Sequence, residues 1–87
     1  MLLKVSSQTD PKKLAGAVLH SMRENGGTVE LQAIGAGAVN QAIKALAVAC
    51  LISDRSDGGK IKVVPGFADV ELREKPITAI RFSVFAN

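Results

Sequence analysis

Between Ile34 and Ile52 the chain reads IGAGAVNQAIKALAVACLI, and in that run only Asn40, Gln41 and Lys44 carry polar side chains. The stretch predicts a helix from about Ala38 to Ile52. A helix that is apolar round most of its circumference has to be covered round most of it. A chain of 87 residues makes one domain, residues 1–87, too small for a separate cofactor domain. A domain this small buries only about two-thirds of its unfolded surface, so association is a ready source of further burial. Asn40 and Lys44 are four apart and share a face with Val48, which Leu51 and Ile52 flank. The first half of that face is wet and the second half greasy. Val48, Leu51 and Ile52 are therefore candidate contacts of a symmetric dimer built through this helix.

The rest of the chain supplies what the inner side of that helix packs on. LLKVS (residues 2–6) alternates as a short strand. Asp10 then caps a helix with Pro11 in its first turn. From Lys12 to Asn25 the residues Leu14, Val18 and Met22 form an apolar stripe, widened by Ala15 and by Leu19 at its margin. Gly26 and Gly27 end it. TVELQAIG reads as a strand with Val29, Leu31 and Ala33 on one face. SDRSDGG (residues 53–59) reads as a polar loop. KIKVV and ADVELR read as strand interrupted by a bulge or bend at Pro65-Gly66. EKP reads as a turn, and ITAIRFSVFA closes the series as a strand with Ile80, Phe82 and Val84 on one face. The order is β-α-β-α-β-β. The first two strands are parallel through a right-handed crossover, the last two form a hairpin, and both helices lie on one face of a four-stranded mixed sheet. The class is α/β in the α+β two-layer sense.

The corner before the apolar helix invites a nucleotide reading and fails it. The dinucleotide fingerprint needs glycine or alanine in its third place. Gly35 and Gly37 fit the first two, but Asn40 stands third, and the nearest acids at the later position, Asp54 and Asp57, fall in the polar segment. No Gly-Lys-Ser/Thr follows, so it is not a P-loop. What remains is a strand-turn-helix corner of small residues. Either the glycines permit tight packing, or the first amides of the helix accept a phosphate with help from its dipole. The candidate turn site is Gly35, Ala36, Gly37, Asn40, Gln41 and Lys44. Lys12, Lys13 and Arg23 on the outer side of the first helix are auxiliary phosphate contacts.

A net charge of +3 leans mildly toward anionic partners. The single histidine, His20, and the single cysteine, Cys50, exclude a thiolate metal cluster and offer no nucleophile with a partner base. No cofactor, metal site or catalytic residue is expected, and Cys50 reads as a small buried hydrophobe. The N-terminal residues lack a signal-peptide pattern, and no run approaches the roughly 20 apolar residues of a membrane span. These features point to a cytoplasmic protein with no membrane partner. Aromatics are limited to Phe67, Phe82 and Phe85. Phe82 reads as core, while Phe67 is either core or an exposed contact, and in the second case it joins Val48, Leu51 and Ile52 as a candidate oligomer contact. With so few stacking platforms, nucleic-acid binding would be led by the backbone and weakly selective.

LKVSSQTDPKKLAGAV, QAIGAGAVNQAIKALAVA, VVPGFADVEL and TAIRFSV together resemble the bacterial stage V sporulation protein S family over nearly the whole chain. That family in turn resembles Alba, a small archaeal chromatin protein that binds DNA and RNA as dimers. The resemblance implies the same fold, and a regulatory or chromosome-linked role in sporulation or cell development. Alba proteins carry basic residues in the turn that matches GAGA, where this chain has Ala36 and Ala38. Phosphate binding would then fall to the backbone amides around Gly35 to Val39 and to Lys44. The leading expectation is an oligomeric, non-enzymatic protein that binds DNA or RNA. The alternative is a self-assembling interaction module that docks a regulatory protein.

Overall fold

The computed structural model describes residues 1–56 and 59–86. It contains, in order, β1 (Leu2–Val5), α1 (Pro11–Glu24), β2 (Thr28–Ala33), α2 (Ala36–Arg55), β3 (Ile61–Leu72) and β4 (Lys75–Ala86). The sheet order is β1-β2-β4-β3. β1 runs parallel to β2, and β4 lies antiparallel to both β2 and β3. The expected β-α-β-α-β-β order and four-stranded mixed sheet are therefore the observed ones.

Each helix starts and stops for a local reason. Asp10 Oδ1 accepts the Lys12 N–H at 2.9 Å, and Pro11 occupies the first turn of α1, where a missing N–H costs nothing. At its other end the Gly27 N–H donates to the Met22 carbonyl at 2.7 Å, with Gly26 and Gly27 both at positive φ. The α1 stripe of Leu14, Ala15, Val18 and Met22 is buried. It meets Val5, Val29, Leu31, Ala33, Phe82 and Val84 from the sheet. The inner face of α2 is almost entirely alanine: Ala38, Ala42, Ala45 and Ala49 are buried there with Leu46. Small side chains let the α2 backbone lie close to its neighbours, and they explain how so apolar a helix shares a core with another helix. Leu31, Val18, Val29 and Val84 are the largest wholly enclosed side chains. Truncating one such leucine to alanine costs about 2–5 kcal/mol.

Four local expectations are corrected. α2 begins two residues earlier than expected and runs through Ser53, Asp54 and Arg55, which had read as loop. Ser53 is buried and its hydroxyl donates to the Gly59 carbonyl at 2.6 Å, which satisfies a polar residue inside the last turn. Asp57 and Gly58, from the same expected loop, lie outside the described residues. The break at Pro65-Gly66 does not occur, because the β3–β4 register is continuous from Ile61↔Ala86 to Leu72↔Lys75. β3 is an edge strand, and an edge strand tolerates a proline that an interior strand would not. The last turn falls on Arg73 and Glu74, not on Glu74–Pro76. Both residues have positive φ (53° and 63°), as a two-residue hairpin turn of the right twist requires.

The fourth correction concerns hydropathy. α2 has 20 residues and a most apolar window of mean hydropathy 1.5, so by length and composition it is apolar enough to cross a membrane. Alanines raise that average while serving as core contacts, and a third of the window is buried within the fold.

Candidate nucleic-acid interface

Because β1 and β2 are parallel and each is followed by a helix, both helices begin at the same end of the sheet. Two contacts fasten those beginnings together. Gln41 Nε2 donates to the Thr9 carbonyl at 2.8 Å, tying the β1–α1 loop to the second turn of α2. A Cβ on Gly37 would come within 2.9 Å of the Ser7 Cβ, so only glycine lets the loop sit this close. Within the loop, the Ser6 N–H donates to Thr9 Oγ1 at 2.9 Å and the Gln8 N–H to Ser6 Oγ at 3.1 Å. The turn residues Gly37 and Gln41 are thus built into the packing, whatever else they do.

The two helix starts differ in how their amides are used. α1 has its aspartate cap. α2 has Gly35 at the cap position, with φ 90°, ψ 157° and no side-chain hydrogen bond. The first N–H with an intrahelical partner is that of Val39, which donates to the Gly35 carbonyl at 3.1 Å. The amides of Ala36, Gly37 and Ala38 come before it and have no partner within the helix. Ala36 and Gly37 are exposed, and neither helix carries an acid in its first turn. The partial positive charge of two helix starts therefore gathers at one end, and the first turn of α2 holds no acid to neutralise it.

Asn40 and Lys44 are exposed on successive turns of α2 below that corner. Lys12 and Lys13 are exposed in the first turn of α1. The ion pairs among the described residues are His20–Glu24 at 3.8 Å and Glu30–Arg81 at 3.7 Å, so they leave these three lysines unpaired. Gly35, Ala36, Gly37, Gln41, Lys12 and Lys13 are thus brought to one end of the helix layer, and Asn40 and Lys44 continue from it along one stripe of α2, Lys44 about two turns from Ala36. Arg23 is not brought there: it lies in the last turn of α1, at the opposite end, beside Met22 and Ile52.

The apolar side of α2 also divides. Val48 is half-buried against the core, and Ile52 lines a cleft between the helix ends. Leu51 is 50% exposed on the outer face, with Ile43 (49%) and the exposed Ala47 completing the stripe. Ile43 was not among the candidate interface residues. Its spacing of four and eight from Ala47 and Leu51 was the signal available. Cys50 is half-buried on the flank of α2, rather than enclosed.

Phe67 is 82% exposed, which settles its two readings in favour of surface. It stands at the base of an arm. Pairing of β2 with β4 ends at Ala33↔Ile80, whereas β3 and β4 stay paired out to Leu72↔Lys75. Ala33 is also the end of β2 that leads into the Gly35 corner, so the two-stranded arm projects from the same end of the sheet as the helix starts. Arm residues 67–79 carry three acids (Asp69, Glu71, Glu74) against two bases (Arg73, Lys75).

This arrangement can hold phosphate oxygens on main-chain N–H groups and ammonium ions. The exposed aromatic ring at this end is that of Phe67, at the base of the arm. Among the described residues no group of three or more His, Cys, Asp or Glu could hold a metal ion. Compared with known families, the chain matches the family model described as Stage V sporulation protein S (SpoVS) across residues 1–87.

Proposed function

The chain belongs to the stage V sporulation protein S family, and we propose that it serves its sporulation-related role as a non-enzymatic protein that binds the phosphate backbone of DNA or RNA. The observation that carries this reading is the uncapped start of α2. The free amides of Ala36 and Gly37 lie at the same exposed end as Lys12 and Lys13, with Lys44 about two turns further along α2. Main-chain donors at a helix start suit a phosphate without a basic side chain in the turn, which fits the alanines at 36 and 38. The lysines add a sequence-independent, salt-sensitive term. Base readout has no equipment here, so selectivity among sequences is weak. The protein works in the cytoplasm, without a cofactor, as a homo-oligomer in which the Ile43–Ala47–Leu51 stripe of α2 is covered by a second copy.

Fluorescence anisotropy with labelled duplex DNA and single-stranded RNA across a salt series tests this. Binding whose logarithm falls linearly with the logarithm of salt supports it. Absence of binding at low salt ends it, and would favour the second reading, a self-assembling module that docks a regulatory protein. One observation speaks for that alternative: Phe67 stands almost fully exposed on an arm whose charges are not those of a phosphate ligand. A partner captured equally well after nuclease treatment would be its signature.

A further inference from the structure

A cleft of about 610 Å3 opens at the end of the helix layer away from Gly35, between the last turns of α1 and α2 and the margin of the sheet. Its walls are Leu19, Met22, Ile52, Ile61 and Ala86. Three polar groups on its lining are already used. Ser53 Oγ donates to the Gly59 carbonyl at 2.6 Å, Ser56 Oγ to the Ile52 carbonyl at 3.0 Å, and the Gly27 N–H to the Met22 carbonyl at 2.7 Å. Among the described residues no buried side-chain nitrogen or oxygen lacks a partner. The side chains inside this cleft therefore favour an apolar ligand body over a polar one. One group on the lining is charged and not engaged: Arg23, exposed at the rim, has no carboxylate partner among the described residues.

Small-molecule sites are typically concavities of about 300–1,000 Å3, apolar in the main, with few polar groups that fix orientation. We infer that this cleft is a binding site for a small amphipathic carboxylate, its alkyl body between α1, α2 and β3 and its carboxylate on the Arg23 guanidinium. Guanidinium is the side chain best matched to a carboxylate, since its fork of N–H groups meets both oxygens. The five apolar walls fit an unbranched or lightly branched chain. The site is separate from the phosphate-binding reading and stands whether or not that reading holds.

The test is a titration of the 15N-labelled full chain with hexanoate, octanoate and decanoate, each below its micelle concentration, with decanol as the uncharged control. Saturable amide shifts should be confined to Leu19, Gly26, Gly27 and Ser53. Affinity should rise about fourfold per added methylene, as burial of a CH2 group requires. Arg23→Gln, a change at an exposed position, should weaken decanoate several-fold and leave decanol within twofold. Ile52→Trp, which fills the cleft from a half-exposed position, should remove saturable binding of both. The inference is overturned by shifts that do not saturate, by shifts centred on Ile43–Leu51 instead of the cleft, by affinity independent of chain length, or by equal affinity for decanoate and decanol in the unaltered chain.

Discussion

Replacing Lys44 with glutamine tests the phosphate reading at its most exposed point. The side chain is exposed, unpaired among the described residues, and on an interior turn of α2. Lysine and glutamine have nearly the same helix propensity, so the fold should lose no more than about 0.3 kcal/mol. Glutamine is chosen over alanine because alanine would extend the apolar stripe beside it and confuse binding with self-association. Each duplex phosphate neutralised contributes about 0.9 to the slope of log affinity against log salt. With Lys12, Lys13 and Lys44 all engaged, the expected slope is about −2.7 per chain. Raising salt from 50 to 200 mM would then weaken binding about 40-fold. Without Lys44 the slope becomes about −1.8 and the same salt change costs about 12-fold. At 0.15 M salt the variant should bind about fivefold more weakly, near 1 kcal/mol. The amides of Ala36 and Gly37 release no counterions, so the affinity extrapolated to 1 M salt should be the same for both proteins. Anisotropy titrations at five salt concentrations measure all of these quantities. An unchanged slope would show that Lys44 touches no phosphate. A changed intercept with an unchanged slope would mean that the substitution had disturbed the corner instead.

Gly37→Ala should destabilise the fold by about 1 kcal/mol through the close approach to Ser7. Gly16→Ala in the exposed face of α1, where nothing lies within 4 Å of the new Cβ, should stabilise it by about as much. Urea unfolding separates the two, and equal signs would refute the packing argument. Replacing both Ile43 and Leu51 with glutamate should leave the unfolding midpoint of a monomer almost unmoved, and shift sedimentation from oligomer to monomer. Sedimentation that does not change would remove the α2 stripe as the interface. Arg73-Glu74→Asn-Gly should stabilise the arm by about 1–2 kcal/mol, because both native residues hold positive φ that asparagine and glycine adopt more readily. Slower amide exchange at Val70 and Ile77 is the readout, and faster exchange would contradict the turn assignment.

The strength of the periodic signals explains how much of this architecture could be read from residues. Leu14, Val18 and Met22 repeat at helical spacing, and Val29, Leu31 and Ala33 at strand spacing, so each states both its element and its buried face. The corner of Gly35 and Gly37 was equally plain as a turn. What it packs on was not, because the Ser7 approach and the Thr9–Gln41 hydrogen bond join segments about 30 residues apart. Arg23 looked equivalent to Lys12 and Lys13 on a helical face, yet three turns of helix carry it to the other end of the layer. Pro65 misled for a related reason. A proline forbids an interior position but not an edge, and the order β1-β2-β4-β3 is a long-range property. Ser53–Arg55 read as loop by composition, since the hydrogen bond that settles Ser53 inside the helix comes from beyond it.

The sheet order has a consequence for how the molecule is made. β4, the last strand in chain order, lies in the interior of the sheet, with β2 on one side and β3 on the other. Until Phe82 and Val84 arrive, Leu31 and Val29 have no neighbour on that side and β3 has nothing to pair with. During synthesis from the N-terminus, the β1-α1-β2-α2 portion therefore waits with an open β2 edge and a half-covered sheet face. Closure comes as one late, long-range event, so a chaperone that shields the open edge of β2 would have its main effect on the nascent chain, before β4 has emerged.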